Sequence, residues 1–238
     1  MKNRRSRFQL WAFQVLFLLC LPSSTLAEKP SFEGSLSLAS DYVYRGISQT
    51  LGDPAVQPGL DVSWEDLSWG DLSFFLWGAN VDFGDDLAEH ELDIGISWSR
   101  DLSDSVFLSL SVGHYVYFGD READYSEFGA ALEVGSLSFG LTYAPEYFGT
   151  PVEASYFEVS YGLELPRSFE LTFHLGYSAF DGDPDLAMEE YFDYSVSLGR
   201  SWEHVILDLT LGSTDLDEDP GSDSQADTRW VATVTFPF

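Results

Sequence analysis

The chain has 238 residues, of which 40 are acidic and 11 are basic, giving a formal net charge of −29 at pH 7. This charge excludes nucleic acid as a partner, because phosphate binding needs clustered lysine and arginine. The single cysteine, Cys20, falls in the N-terminal segment, so no disulfide is expected in the rest of the chain.

Residues 1–27 have the pattern of a secretory signal. A basic start is followed by an apolar run of about fourteen residues, too short to span a bilayer as a helix of ~20. Small residues then offer cleavage after Ala27. The predicted organisation is a signal peptide at 1–27 and one domain at 28–238; an uncleaved N-terminal anchor is the alternative.

The remainder alternates apolar and polar residues with the period of two that is typical of β-strands. Most of the alternating segments are close to the ~9–11 residues that a tilted strand needs to cross a membrane. Twelve strands are predicted, at 32–45, 56–65, 72–83, 90–99, 106–117, 125–134, 137–144, 154–164, 169–178, 190–199, 204–212 and 228–238. Segment 72–83 is apolar on both faces, so its register cannot be assigned.

The connections alternate as well, short ones following the even-numbered segments and mostly longer, acidic ones following the odd-numbered segments. This pattern predicts an all-β fold, an antiparallel transmembrane β-barrel of twelve strands with both termini in the periplasm. A soluble secreted β-sandwich is the competing fold. A closed twelve-strand barrel is too wide for its side chains to fill, which favours an apolar face toward lipid.

The last segment supports the same class. Residues 229–238 alternate and end in Phe238, which resembles the terminal strand by which outer-membrane barrels are recognised by their assembly machinery. The expected location is the bacterial outer membrane, with the lipid bilayer and lipopolysaccharide as partners. Aromatic girdles facing lipid are expected near the strand ends, from Tyr42, Tyr44, Trp64, Trp98, Tyr117, Tyr143, Trp230 and Phe236.

A resemblance to a known family lies in the first third of the domain. The stretch 40–57, SDYVYRGISQTLGDPAVQ, is similar to the signature of the TorF family of proposed porins of Proteobacteria. The family pattern continues into Asn80-Val81-Asp82-Phe83 and the acidic alternating segment 91–98. The resemblance implies an outer-membrane channel, but it supplies no substrate.

The polar register would face the lumen of such a barrel, where an excess of carboxylates favours cations; the alternative is that many of these acids sit at the rims. Since the first and last strands of a barrel pair, Asp41, Arg45, Gln57, Asp61 and Arg229 are predicted to converge inside the pore. The arginines then either form a constriction field or pair with acids and stabilise the seam. Two further pore-lining candidates are Asp93 and Asp193.

Catalysis is not predicted, because the four histidines are scattered and no serine stands in a nucleophile-elbow pattern. No cofactor or metal site is predicted. The run 181–185 has carboxylates at alternate positions but lacks the later ligands of an EF-hand, which favours a solvated loop. The predicted function is passive diffusion of small hydrophilic solutes or ions, with cations favoured; a non-conducting structural or adhesive barrel with acidic loops is the alternative.

Overall fold

The computed structural model describes residues 29–65, 67–84, 88–182, 189–216 and 225–238. The predicted signal peptide at 1–27 lies outside these ranges, as do 183–185 of the acidic run that begins at residue 181. Within the described residues, no helix is long and apolar enough to span a membrane.

Strands account for most of the described chain, and two short 3₁₀ helices lie in connections. The 3₁₀ helices are η1 at Arg121–Ala123 and η2 at Tyr147–Gly149. In chain order the strands are β1 Ser31–Ala39, β2 Val43–Tyr44, β3 Ile47–Ser48, β4 Ala55–Trp64, β5 Asp71–Asn80, β6 His90–Ser103, β7 Val106–Phe118, β8 Tyr125–Val134, β9 Leu137–Ala144, β10 Val152–Leu165, β11 Phe169–Gly182, β12 Tyr191–Ser201, β13 Ile206–Thr214 and β14 Arg229–Pro237.

Twelve of these strands, β1 and β4 to β14, form one closed antiparallel barrel. The barrel closes between the first strand and the last, where the Ser37 and Thr235 hydroxyls lie 2.8 Å apart. Phe238 continues this seam, because its backbone N–H donates to the Gly34 carbonyl at 2.9 Å. Closure leaves the barrel without free strand edges, and the predicted fold is confirmed.

The barrel carries apolar side chains outside and polar side chains inside. Each of the twelve strands exposes at least one large apolar residue: Leu36, Leu60, Phe74, Ile94, Leu110, Phe128, Phe139, Phe157, Phe173, Val196, Leu209 and Trp230. The inner face instead buries polar residues, such as Ser37, Gln57, Ser73, Asp93, Glu127, Asp193, Asp208 and Thr235. This inversion of the soluble pattern is that of a transmembrane barrel.

The two ends of the barrel differ. The terminus end carries the start of β1 and the end of β14, with short turns such as the two residues between β8 and β9. The opposite, loop end carries longer connections, including 40–54 and 145–151. The predicted first strand, 32–45, is too long: β1 ends at Ala39, and the residues that follow fold into the barrel interior.

The structure assigns the register of β5, which the sequence leaves open. Phe74 and Leu76 are exposed on the outside, whereas Phe75 and Trp77 line the lumen. The Phe75 ring lies over Gly95 of the neighbouring β6, where a Cβ atom would overlap it. The absent side chain of Gly95 therefore makes room for an inward aromatic residue.

We expect Gly95→Ala to destabilise the barrel by about 1–3 kcal/mol, because the new methyl group overlaps the Phe75 ring and the Val112 carbonyl oxygen. Gly212→Ala is the matched control, since its Cβ would make only ordinary contact with Ser195, at 3.7 Å. The temperature at which the fast-migrating folded band disappears on a detergent gel measures the effect. Equal temperatures for the two variants would contradict the packing of Phe75 described here.

Candidate functional site

The connection between β1 and β4, residues 40–54, forms a small hairpin inside the barrel, here called the inward hairpin. Its two short strands, β2 and β3, pair through Tyr44 and Ile47. The two residues between them, Arg45 and Gly46, have φ angles of 48° and 80°. Positive φ at both central positions is the requirement of a type I′ hairpin turn, in which glycine is favoured.

The tip of the inward hairpin lies against the barrel wall formed by β12 and β13. A Cβ atom on Gly46 would lie 2.6 Å from Cγ2 of Thr214 on β13 and 2.7 Å from Cβ of Asp193 on β12. Only a residue without a side chain fits there. The hairpin therefore leaves the barrel wall at β1 and packs its tip against β13 and β12, two and three strands away around the barrel.

Asp41 organises the base of the inward hairpin. Its Oδ1 accepts hydrogen bonds from the hydroxyls of Ser48, at 2.6 Å, and Thr50, at 2.9 Å. Its Oδ2 accepts from Arg229 of β14 at 2.6 Å. The carboxylate thus closes the hairpin on itself and ties it to the seam strand.

Arg45 anchors the tip of the hairpin to a different wall. Its guanidinium lies 3.0 Å from the carboxylate of Glu127 on β8, and both side chains are only 4% exposed. The carboxylate also accepts hydrogen bonds from the hydroxyls of Tyr44 and Tyr115. The guanidinium carbon lies 4.6 Å and 4.5 Å from the ring centroids of Tyr44 and Tyr156, within cation–π range.

These surroundings keep Arg45 charged. An arginine guanidinium stays protonated at any pH that a protein meets, and the Glu127 carboxylate at 3.0 Å favours that charge. A buried charge of this kind must be paired and hydrogen-bonded to be tolerated. The pairing with Glu127 meets that condition.

Aromatic rings fill the lumen on the loop side of the hairpin. Tyr115 stacks on Tyr125 at 4.6 Å, and Tyr117 stacks on Phe148 of the connection before β10 at 5.3 Å. This outer aromatic cluster consists of Phe83, Tyr115, Tyr117, Tyr125, Tyr147, Phe148 and Phe180.

The girdle prediction is therefore wrong for three residues. Tyr42, Tyr44 and Tyr117 are buried inside the barrel rather than exposed to lipid, because Tyr42 and Tyr44 follow the hairpin inward and Tyr117 lies on the inner face of β7. Tyr143 and Trp230 are exposed on the outside as predicted.

A cavity of about 210 Å³, here called the inner chamber, lies between the inward hairpin and the terminus end. The hairpin residues from Asp41 to Gly46 bound it on one side. Its walls comprise Gln57, Phe75, Trp77 and Asp93 on one half of the barrel, and Ser160, His174, Asp193, Ser197, Asp208 and Arg229 on the other.

One wall of the chamber carries a connected polar network. The hydroxyl of Tyr156 donates to Asp193 at 3.1 Å, and Nε2 of His174 lies 3.1 Å from the same carboxylate. Nδ1 of His174 lies 3.0 Å from the hydroxyl of Ser160. Here Nδ1 faces the serine and Nε2 the carboxylate, the reverse of the arrangement in the triad of serine hydrolases.

Four of the five residues predicted to converge inside the pore, Asp41, Arg45, Gln57 and Arg229, line the inner chamber. Asp41 and Arg229 form an ion pair, and Gln57 lines the chamber nearby. Arg45, however, pairs with Glu127 instead of the seam residues, because the hairpin carries it across the lumen. Asp61 also stays apart, opposite Glu33 on the β1–β4 ladder toward the terminus end.

The two remaining candidates, Asp93 and Asp193, both line the inner chamber. The sequence argument did not single out Tyr156 or Trp77 as site residues. The signal for Tyr156 was present, since it shares the inward face of β10 with Glu158 and Ser160. Trp77 lacked such a signal, because β5 is apolar on both faces.

The chain belongs to the Gcw_chp family, described as bacterial proteins of unknown function, whose model matches residues 26–238. The TorF name suggested by the resemblance is not confirmed by this match. No curated protein matches the chain.

Among solved structures, the barrel is similar to that of the KdgM porin, with a TM-score of 0.52 and 11% identity over 87% of this chain and 99% of KdgM. A structure of KdgM in complex with disordered oligogalacturonate matches with a TM-score of 0.52 and 9% identity, over 87% and 98% of the chains. The NanC porin matches with a TM-score of 0.52 and 10% identity, over 87% and 99%. At such low sequence identities the likeness establishes the fold alone.

We expect Arg45→Met to lower the free energy of unfolding by about 3–5 kcal/mol, because it leaves the Glu127 carboxylate buried without its cation. The double variant Arg45→Met/Glu127→Gln should lose less than the two single variants together. Denaturant titration of the barrel in lipid measures both.

Arg121→Met is the control for this prediction. It removes an arginine whose side chain is 62% exposed and paired with Asp124 at 2.8 Å. Such a surface pair contributes at most about 1 kcal/mol. A loss for Arg45→Met no larger than that for Arg121→Met would show that the inward hairpin does not depend on the buried pair.

Proposed function

We propose that the protein is a porin-like channel of the outer membrane, through which small hydrophilic solutes or ions diffuse passively, with cations favoured. The observation that carries this proposal is a closed barrel with an apolar exterior and a polar lumen that contains a chamber of about 210 Å³. Twelve strands give a bore between the filled interior of eight-stranded barrels and the wide channel of sixteen-stranded porins.

The charge of the lumen supports the preference for cations. Both arginines that line the inner chamber are paired with acids, Arg45 with Glu127 and Arg229 with Asp41. Further carboxylates, including Asp93 and Asp193, face the lumen in addition to these pairs. A low-dielectric bore with surplus negative charge concentrates cations and repels anions.

The proposed charge of the lumen does not favour an acidic oligosaccharide as a solute. KdgM has a structure in complex with oligogalacturonate, a negatively charged ligand. Surplus carboxylates in the chamber would repel such a ligand here, so we do not propose acidic oligosaccharides as solutes of this chain.

The apolar outer face of the barrel is the basis for proposing its membrane partners. The exposed apolar band would contact the lipid bilayer, and the loop end would lie among lipopolysaccharide at the cell surface. Export through the periplasm would rely on the signal peptide at 1–27, and insertion on recognition of the terminal strand and Phe238 by the barrel assembly machinery.

A second candidate is a non-conducting structural or adhesive barrel whose acidic loops bind a partner. The packed rings of the outer aromatic cluster favour it, because Tyr117, Tyr125 and Tyr147 are all buried at the loop end. In this case changes in the lumen would leave function intact, while loop deletion would abolish it.

Planar-bilayer recording under a potassium chloride gradient distinguishes the two candidates. The channel proposal predicts measurable single-channel conductance and a reversal potential of the sign set by potassium flow. A folded, inserted barrel without conductance would favour the second candidate, and a reversal potential set by chloride would contradict the preference for cations.

Two charge-neutralising variants refine this recording. Asp61→Asn removes a carboxylate on the inner face of β4 and should lower the preference for cations, with a shift of the reversal potential toward zero. Glu203→Gln removes a carboxylate whose side chain is 88% exposed in the turn before β13 and should leave it unchanged. Equal shifts would place the selectivity at the surface rather than in the lumen.

A further inference from the structure

The inner chamber holds carboxylate oxygens that have no hydrogen-bond partner. Both oxygens of Asp208 are buried without a hydrogen bond, and the residue is 9% exposed. Oδ1 of Asp93 is likewise buried and unpartnered, and that residue is 6% exposed. Both residues line the chamber. Burying such oxygens unsatisfied is costly, so the chamber is short of positive or hydrogen-bonding groups.

Aromatic rings line the same chamber beside Asp93. Trp77 lies directly opposite Asp93 on the β5–β6 ladder, and the ring of Tyr42 packs edge-on against Trp77 at 5.2 Å. Phe75, two residues before Trp77 on the same inward face, is a third aromatic ring that lines the chamber. Aromatic faces attract cations, and most strongly those that have shed part of their water.

The protein already holds one organic cation in such surroundings. The guanidinium of Arg45 lies between the rings of Tyr44 and Tyr156 and is hydrogen-bonded to the carboxylate of Glu127. That arrangement combines two aromatic faces with one carboxylate. Trp77, Tyr42 and Asp93 present the same types of group to the chamber, without an arginine among them.

The arrangement fits an organic cation better than a metal ion. Calcium binds six to eight converging oxygen ligands. Within the described ranges, no three histidine, cysteine, aspartate or glutamate side chains come together in a way that could hold a metal ion. Asp93 on β6 and Asp208 on β13 lie on well-separated strands of the barrel. Single carboxylates beside aromatic rings are instead the groups that bind ammonium and guanidinium ions.

We propose that the inner chamber is a binding site for a small organic cation of the guanidinium or alkylammonium class, with Asp93 and Trp77 as its contacts and Asp208, on a well-separated strand, adding negative charge at longer range. The binding depends only on the chamber. The role of this site in permeation rests on the channel function proposed above, for which it names the class of solute.

Calorimetric titration of the folded barrel in detergent with millimolar methylguanidinium chloride tests the site. Methylurea is the matched neutral probe, because it has nearly the same shape without the charge. We expect heat of binding for methylguanidinium and none for methylurea. Equal signals for the two probes, or no signal for either, would overturn the proposal.

Variants locate the binding within the barrel. Asp93→Asn should weaken binding of methylguanidinium about tenfold or more, because it removes a hydrogen bond to a charged group. Asp208→Asn should weaken it as well. Asp101→Asn, an exposed acid near the end of the same strand β6 as Asp93, is the control and should bind as the unaltered barrel does. Heat-modifiable gel migration verifies that each variant is folded.

Two combinations of results separate this inference from the channel function. A barrel that conducts potassium but binds methylguanidinium no better than methylurea keeps the channel and overturns the site. A barrel that binds methylguanidinium through Asp93 but shows no conductance keeps the site and overturns the channel. Binding that is unaffected by both Asp93→Asn and Asp208→Asn would also overturn the site.

Discussion

The buried ion pair between Arg45 and Glu127 is the interaction on which the interior of this barrel depends. A chain segment can enter a lumen only if the charges that it carries find partners there, because an unpaired buried charge costs several kcal/mol. The inward hairpin brings one positive charge at its tip, and β8 provides the matching carboxylate 3.0 Å away. Two tyrosine hydroxyls complete the hydrogen bonding of that carboxylate.

This pair also determines how the lumen is divided. Because the hairpin is held at its tip by Glu127 and at its base by Arg229, it separates the outer aromatic cluster from the inner chamber. Both arginines of the chamber hold the hairpin through Glu127 and Asp41, which leaves Asp93 and Asp208 without an arginine partner. The pairing that fixes the hairpin thus also determines which carboxylates of the chamber have an arginine partner.

The fold could be predicted from the sequence because the two faces of most strands differ in polarity. One face must contact lipid and the other water, so alternation specifies both the strand and its orientation. The exception was β5, in which Phe75 and Trp77 face inward although they are apolar. Their orientation depends on Gly95 of the neighbouring strand and on Tyr42 of the hairpin, which are contacts that no local pattern reveals.

The site could be predicted only in part for a related reason. Alternation continues past Ala39 through Asp41 and Tyr44, so the predicted first strand ran on to Arg45, whereas the chain leaves the barrel wall at Ala39. The ion pair of Asp41 with Arg229 followed from pairing of the first and last strands. The ion pair of Arg45 with Glu127 joins opposite walls, and it could be found only once the hairpin was placed inside.

Hydrogen exchange of the hairpin amides, followed in the folded barrel, tests this account most directly. The backbone N–H of Ser48 donates to the Gln225 carbonyl at 2.8 Å, and that of Gln49 donates to the Tyr42 carbonyl at 2.6 Å. The account predicts slow exchange of both amides in the native protein and faster exchange in Glu127→Gln, with strand amides unaffected. Exchange of both amides at the rate of an open surface loop, or rates unchanged in Glu127→Gln, would contradict it.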